Sequence, residues 1–321
     1  MVEFKIGERI YEGLQPGQKQ HFLNALVAMV TLTIYVGWMN FFLLLCISAF
    51  FSRTALYIVI ALLSTLALPA RPVLWPWFNR LWVFKTWREY FRYSFLFEEK
   101  LERGKKYVLA EFPHGSFPIG PIVAGTLVQT MFPDDPVYSV AASSVFYIPL
   151  WRHFISWIGS LPATKENFKK LLHKGSLAVV VGGIAEMYML DPRKERIKLK
   201  GRKGFAKIAV EEKADGIVPV YYFGNSRCLE FGPQWLSDMS RKLRVSLGYL
   251  HGRWGLPLPR AVPIYLVHGK PVPVPKVDKS DKIEFEKAVD QLHDAFMLEL
   301  QSLYDRHKGE YGWSERPLSI E

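Results

Sequence analysis

The sequence predicts an α/β protein: a mostly parallel or mixed sheet covered by helices, preceded by a two-helix membrane hairpin. Two observations carry this. From Lys105 onward, short apolar runs of strand length alternate with helix-like segments, the order of a sheet with crossover helices. Ahead of them, Phe22 to Ala70 holds one charged residue, Arg53, a stretch suited to lipid.

Composition narrows the function. The formal charge is +11 and half the chain is hydrophobic, so nucleic acid or an anionic membrane surface is the natural partner class. The uncharged stretch favours membrane lipids and argues against nucleic acid. The two cysteines are Cys46 and Cys228. Cys46 lies in the apolar stretch, so neither a structural disulfide nor a cysteine-based metal site is expected. The chain has no His-Glu-x-x-His, Gly-x-Ser-x-Gly, Walker A or Gly-x-Gly-x-x-Gly pattern. Zinc protease, serine lipase, P-loop and dinucleotide chemistry are poor fits.

The chain divides into residues 1–21, 22–70 and 71–321. Residues 1–21 are polar and mixed in charge and read as a flexible cytosolic arm rather than a signal peptide. Phe22 to Phe51 exceeds the ~20 residues a spanning helix needs. After Ser52-Arg53, a second run from Thr54 to Leu68 is shorter and ends at Pro69, Pro72 and Pro76. The alternative is one tilted span plus a buried helix. Arg71, Arg80, Lys85, Arg88 and Arg92 follow against Glu89 alone, which places the returning side in the cytosol. Trp75 to Phe97 mixes aromatics with these cations and reads as an interfacial segment or a core helix.

In the third part, Tyr107–Ala110, Val137–Ala142, Leu177–Val181, Ile217–Tyr222 and Ile264–His268 read as strands. Thr164–His173, Gly201–Lys213 and Ser280–His307 read as helices. Asp281 and Glu284 near the start of the last one, and Arg306 and His307 near its end, suit the helix dipole.

The candidate chemistry centres on Glu111 to Pro121, where a strand turns into a helix. His114 sits there between Pro113 and Gly115. Proline restricts the backbone and glycine permits close approach. A histidine held at the carboxyl end of a strand is a candidate general base; a capping or turn histidine fits the position equally well. Gly182 and Gly183 end a later strand and lead to Glu186, which orients the ring or a substrate hydroxyl if the strands are neighbours, or caps a surface segment. Arg193 to Lys207 holds eight bases against Glu195. Within it, Arg202, Lys203, Gly204 and Phe205 open a predicted helix, an arrangement suited to phosphate. Asn225, in a polar turn after Val218–Phe223, offers a hydrogen bond to substrate or shapes the turn. One histidine, one acid, a phosphate-type cation cluster and a membrane anchor suit acyl transfer from a coenzyme A thioester to a lipid alcohol.

These residues resemble the type-2 diacylglycerol acyltransferase family, which includes monoacylglycerol acyltransferases and wax synthases. Phe112-Pro113-His114-Gly115 is similar to the family's His-Pro-His-Gly. Gly182, Gly183 and Glu186 match its glycine-pair-and-glutamate motif. Arg202, Gly204, Phe205 and Ala209 match Arg-x-Gly-Phe-x-x-x-Ala. Val218–Tyr221, Phe223-Gly224 and Leu303–Lys308 are similar as well. The match spans roughly residues 100 to 315.

The resemblance implies a glycerolipid-acyltransferase-like sheet and triacylglycerol synthesis from acyl-coenzyme A and diacylglycerol. It implies the endoplasmic reticulum membrane or lipid droplets as compartment. Acyl-coenzyme A is then a co-substrate, with no cofactor or metal. A monoacylglycerol or long-chain alcohol as acceptor is the alternative, and a non-catalytic lipid-binding module is the reading of a different class. The chain departs from the family at Phe112, which replaces the first motif histidine, and at Gly224-Asn225-Ser226, which replaces Gly-Glu-Asn. Soluble relatives that acylate glycerol phosphates carry an aspartate where Ile119 stands. The orienting carboxylate is therefore expected at Glu186, with Glu111 second. The transfer is expected to be direct, with backbone amides around Gly115 and Ser116 facing the developing oxyanion.

Overall fold

Alternate residues along the buried central strands join two different cores, one on each face of the sheet. The computed structural model describes residues 5–236, 238–239, 242 and 248–321. Among them the strands are β1 (Ile10–Tyr11), β2 (Ser94–Phe97), β3 (Tyr107–Phe112), β4 (Val137–Ala141), β5 (Ser160–Pro162), β6 (Ser176–Val180) and β7 (Glu195–Ile197). They continue with β8 (Gly216–Phe223), β9 (Glu230–Gly232), β10 (Tyr249–His251), β11 (Tyr265–His268), β12 (Val272–Pro273) and β13 (Leu318–Ile320).

The main sheet runs β1-β2-β11-β8-β3-β6-β4-β5, with β12 also on β8. The pairs from β8 across to β5 are parallel; β11 is antiparallel to β8, and β1 to β2. The sheet is thus mixed, with a parallel centre.

The helices are α1 (Phe22–Ser48), α2 (Arg53–Ser64), α3 (Pro76–Asn79), α4 (Trp82–Tyr90), α5 (Ile119–Gly125) and α6 (Val128–Met131). After them come α7 (Trp151–Trp157), α8 (Lys165–Leu172), α9 (Ile184–Met187), α10 (Gly204–Glu211), α11 (Asn225–Cys228) and α12 (Lys282–His307). On one face, Leu109, Val218, Val220, Tyr222 and Leu266 pack with residues of α1, α4, α5 and α7. On the other, Val108, Ala110, Phe112, Tyr221 and Val267 pack with residues of α8, α10 and α12. The period of two along β3 therefore places Glu111 and Phe112 on opposite faces.

Two of the expected helices start at a capping side chain: Thr164 accepts from Asn167 N at the start of α8, and Asp281 accepts from Ile283 N and Glu284 N at the start of α12. One boundary differs. The helix expected from Gly201 begins at Gly204, because Arg202 N bonds Leu199 O and closes a turn first.

The aromatic stretch after the apolar segment is not a single interfacial element. It forms α3, α4 and the buried strand β2. Trp87, Tyr90, Phe91 and Tyr93 lie in the core, whereas Trp77 and Trp82 stay exposed.

The N-terminal segment departs further from expectation. Its first four residues lie outside the described ones; the rest is docked, not free. Ile10 and Tyr11 pair with Phe95 and Ser94, and Glu12 N and Gly13 N both reach Tyr93 O. Arg9 explains why so short a strand holds. Its guanidinium lies 4.0 Å from the centre of the Tyr265 ring, donates to Ser94 Oγ at 2.9 Å and pairs with Glu310 at 3.6 Å.

Among the described residues, α1 is the one helix long and apolar enough to cross a membrane. Its 27 residues make ~40 Å at 1.5 Å per residue. The 12 residues of α2 make ~18 Å, short of a ~30 Å hydrocarbon core. The first half of α1 is built into the domain: Ala28, Leu32, Tyr35 and Val36 are buried. Trp87 Nε1 donates to Thr31 Oγ1, and Trp151 Nε1 donates to Tyr35 O. Beyond Gly37 the helix turns apolar side chains outward, and the turn after it leaves Phe50 and Phe51 at 86% and 87% exposure.

Arg9→Ala should lower the stability of the detergent-solubilised protein by about 1–2 kcal/mol, since a cation–π contact and a hydrogen bond are lost together. Thermal unfolding, with limited proteolysis of the arm as a second reading, measures this. Unchanged stability and unchanged cleavage would show that the arm is held by its backbone pairing alone.

Candidate active site

The site is built where three parallel strands end side by side. Glu111 lies opposite Val180 on one neighbour and Val220 on the other, so the segments after β3, β6 and β8 meet. After β3 the Phe112–Pro113 peptide bond is cis, and His114 follows, half-buried. After β6 come Gly182, Gly183 and α9, which carries Glu186. After β8 come Gly224 and α11, which carries Asn225.

Glu186 is 1% exposed. One carboxylate oxygen accepts from His114 N at 2.6 Å, and the other accepts from Lys198 N at 2.8 Å. Burial pushes its pKa up to about 7, against the pull of the Lys198, His114 and Gly115 amides. The two preceding glycines are there for this side chain. A Cβ on Gly182 would coincide with the Glu186 carboxyl group. Gly183 has φ +61° and ψ −155°, a region essentially confined to glycine.

Glu186 thus meets the His114 segment through the backbone and not through the ring. Its role as the ring's orienting acid is corrected accordingly: the carboxylate fixes the turn that carries the ring. The expected oxyanion site changes for the same reason. The His114 amide is given to Glu186, and α5 begins only at Ile119.

The ring has a different partner. His114 Nδ1 lies 2.8 Å from Gly115 O. A carbonyl oxygen only accepts, so Nδ1 carries the hydrogen and Nε2 keeps its lone pair. Burial pulls the imidazole below its ordinary pKa, partly offset by the Gly115 carbonyl. Near neutral pH the ring is therefore an uncharged base, with no hydrogen bond to Nε2 among the described residues.

Asn225 is fully used. Its Nδ2 donates to Pro113 O at 3.0 Å and His114 O at 3.1 Å, while Oδ1 accepts from Gly120 N at 2.9 Å. It brackets the histidine turn from behind and has no hydrogen left for a substrate. Gly115, at φ +60°, leaves room for this amide, which a Cβ would approach to 3.1 Å. Phe205 is likewise a core residue, its ring 5.2 Å from that of Phe296. Phe112 is fully buried on the same face, 6.2 Å from Phe296. Cys228 is buried, and burial pushes its thiol up to about 12, unsuited to a nucleophile.

Three cavities lie near these strands, and one of them reaches the turn. One, of about 110 Å³, lies between the sheet and α5 and is mainly apolar, with Glu111, Tyr222 and His268 in its lining. A second, of about 530 Å³, is lined by Thr164, Lys165, Arg202, Lys203, Gly204 and Lys207. Val140 and Val180 border both. In the second, Lys203 pairs with Asp290 at 2.7 Å and Lys207 with Glu286. Arg202 has no ion pair among the described residues, so it is the available cation. A third, of about 740 Å³, reaches Pro113, Gly115 and Glu186. Of its five cations, Arg316, Arg260 and Arg196 are paired with Glu195, Glu230 and Glu321, whereas Lys194 and Arg227 have no ion pair among the described residues.

Sequence reasoning missed this last framework. Glu195, 2% exposed, accepts from Ser226 Oγ and Arg316 Nε, tying the basic loop to α11 and the C-terminal segment. A lone acid among eight bases was the available signal. It also missed that Glu111 accepts from Tyr222 OH at 2.7 Å and is pushed by burial to about 7.

The profile of the diacylglycerol acyltransferase family matches residues 43–320. The chain belongs to this family. Among its relatives is diacylglycerol O-acyltransferase 2-like protein 6 of Bos taurus, 32% identical over 265 residues, or 74% of this chain and 77% of that one. Diacylglycerol O-acyltransferase 2A of Umbelopsis ramanniana is 31% identical over 263 residues, 75% and 72% of the two chains. Among solved structures, the 1-acyl-sn-glycerophosphate acyltransferase PlsC of Thermotoga maritima aligns with a TM-score of 0.40 at 14% identity, covering 86% of this chain and 95% of that one.

Gly182→Ala should abolish the site's geometry with little effect elsewhere, because the new methyl group displaces the Glu186 carboxyl. Activity should fall at least as far as in Glu186→Ala. A Gly182→Ala variant with wild-type turnover would rule out the Glu186 clamp.

Proposed function

We propose that the chain is an acyl-coenzyme A-dependent O-acyltransferase that makes triacylglycerol from diacylglycerol, with His114 as general base. The observation that carries this reading is the fixed tautomer of His114: Nδ1 is committed to Gly115 O, which leaves Nε2 to accept a proton. Membership of the diacylglycerol acyltransferase family supports the substrate class.

The chemistry follows from what the turn offers. A lipid hydroxyl is a weak nucleophile near neutral pH. Nε2 takes its proton as the oxygen bonds to the thioester carbonyl carbon. The tetrahedral adduct then breaks its carbon–sulfur bond, and the proton passes from Nε2 to the departing thiolate. The products are the ester and free coenzyme A, with no acyl-enzyme. Glu186 and Asn225 contribute by holding the turn, Glu186 through an amide and Asn225 through two carbonyls. Arg202 is the group assigned to the phosphates of coenzyme A, with Lys203 and Gly204 beside it.

For the membrane, we infer that α1 and α2 form a hairpin that enters and leaves the endoplasmic reticulum membrane, or the surface of a lipid droplet, from the cytosolic side. What supports this is the pairing of β1, which precedes the apolar segment, with β2, which follows it. Strands of one sheet lie on one side of a bilayer, so the chain between them must return.

His114→Ala should lose about 10²- to 10⁴-fold in kcat with the protein still folded. Arg202→Ala should mainly raise KM for the thioester. Purified protein, labelled oleoyl-coenzyme A and a panel of acceptors resolve both, and product class separates diacylglycerol from monoacylglycerol or alcohol as acceptor. Near-normal turnover in His114→Ala refutes the general base. A raised KM in Arg260→Ala but not in Arg202→Ala moves the phosphates to the cleft beside Glu186.

Tags at both termini should be open to protease in sealed microsomes. Protection of either one contradicts the hairpin.

A further inference from the structure

One buried histidine has no part in the mechanism above. The cavity between the sheet and α5 is lined mostly by aliphatic groups such as Leu109, Ile122, Val128 and Ile158. Glu111 and His268 break that lining, as do Tyr222 and the Ser139–Ser160 pair, whose hydroxyls bond each other. Glu111 pairs with Val220, and Val220 pairs with His268. The two polar groups therefore stand in one row across the sheet, about 10 Å apart at two strand spacings. Glu111 has a protein partner in Tyr222 OH. His268 has none among the described residues: it is 2% exposed, and neither Nδ1 nor Nε2 has a hydrogen-bond partner there.

The ring is also held in place. It stacks on Phe97, with centroids 4.3 Å apart and planes within 5°, and meets the edge of Phe132 at 5.5 Å. It cannot swing away to find a partner. Burial lowers its pKa to about 3, so the ring is neutral and presents one N–H donor and one lone pair. Burying both unmet is costly. A single group that meets either need, giving to one nitrogen or taking from the other, is a hydroxyl.

We propose that His268 is a specificity-determining residue that recognises a hydroxyl on the segment of the lipid that enters this cavity, distinct from the hydroxyl that reacts. That the ligand is a lipid rests on the acyl-transfer reading. The hydroxyl has two possible sources: an acceptor that keeps a second free hydroxyl, such as a monoacylglycerol, or a hydroxylated acyl chain on the thioester. The chemistry His268 reads is the same in both.

The test uses the full chain in detergent micelles and two substrate pairs. The first pair is 12-hydroxyoleoyl- against oleoyl-coenzyme A, with dioleoylglycerol as acceptor. The second is 2-oleoylglycerol against dioleoylglycerol, with oleoyl-coenzyme A as donor. His268→Phe keeps the stack on Phe97 and removes both nitrogens; His268→Val serves if phenylalanine does not fold. In one pair, kcat/KM for the hydroxyl-bearing member should fall about ten-fold or more, while the other member stays within about two-fold. His268→Gln, which keeps a donor and an acceptor, should recover part of the loss. The pair that responds identifies the source. Unchanged ratios in both pairs overturn the inference and leave His268 as packing alone. If the wild-type protein transfers no acyl group at all, equilibrium binding of 2-oleoylglycerol, dioleoylglycerol, 12-hydroxyoleate and oleate decides. Discrimination that depends on His268 upholds the cavity and sinks only the acyl-transfer reading; its absence sinks the cavity inference too.

Discussion

A buried carboxylate that takes two backbone amides holds this site together. Glu186 joins the turn after β3 to the basic segment that follows β7, through His114 N on one side and Lys198 N on the other. Neither partner is a side chain, so the bond fixes the path of the chain whatever residues occupy it. Removing the carboxylate would leave two partly buried donors without their partner, which costs more than the net worth of either bond. The features around it follow from making room for this group: no side chain at Gly182, a glycine-only backbone angle at Gly183, and a partner on the far side of the turn at Asn225.

The division of labour at the turn is one of backbone and ring. Glu186 and Asn225 hold the peptide groups around His114, and the ring is set by its own neighbour, the Gly115 carbonyl. A carboxylate bonded to the imidazole would favour its charged form; a carbonyl fixes the tautomer with a weaker pull. In a half-buried site that difference keeps the ring neutral and ready to accept a proton.

Much of the fold was legible in the sequence because its strands are apolar on both faces. The five runs expected as strands lie within a residue or two of β3, β4, β6, β8 and β11, and the helices expected from Thr164 and Ser280 begin within two residues of α8 and α12. The short edges were not legible: β1, β5, β12 and β13 have two or three residues each, too few for periodicity to show. The docking of the arm was hidden for the same reason, since Arg9 acts through Tyr265 and Ser94, far along the chain. At the site, the residue types pointed to one place, but their roles depend on direction. Spacing brought Glu186 and Asn225 to His114 without showing that both reach its backbone. Nothing in the pattern around His268 separated it from an ordinary strand residue.

The pairing of β1 also bears on how the protein is made. Ile10 is synthesised early, yet its partner Phe95 comes only after the whole apolar segment, and Phe95 in turn lies beside Leu266 in a strand added much later. The edge of the sheet therefore cannot close while the ribosome is still extending the core. Contacts so distant in sequence form slowly, and the exposed strand edge is open to wrong partners meanwhile. Early insertion of α1 would confine the waiting arm to the membrane surface where its partners later emerge, shortening a search that would otherwise run through bulk solvent.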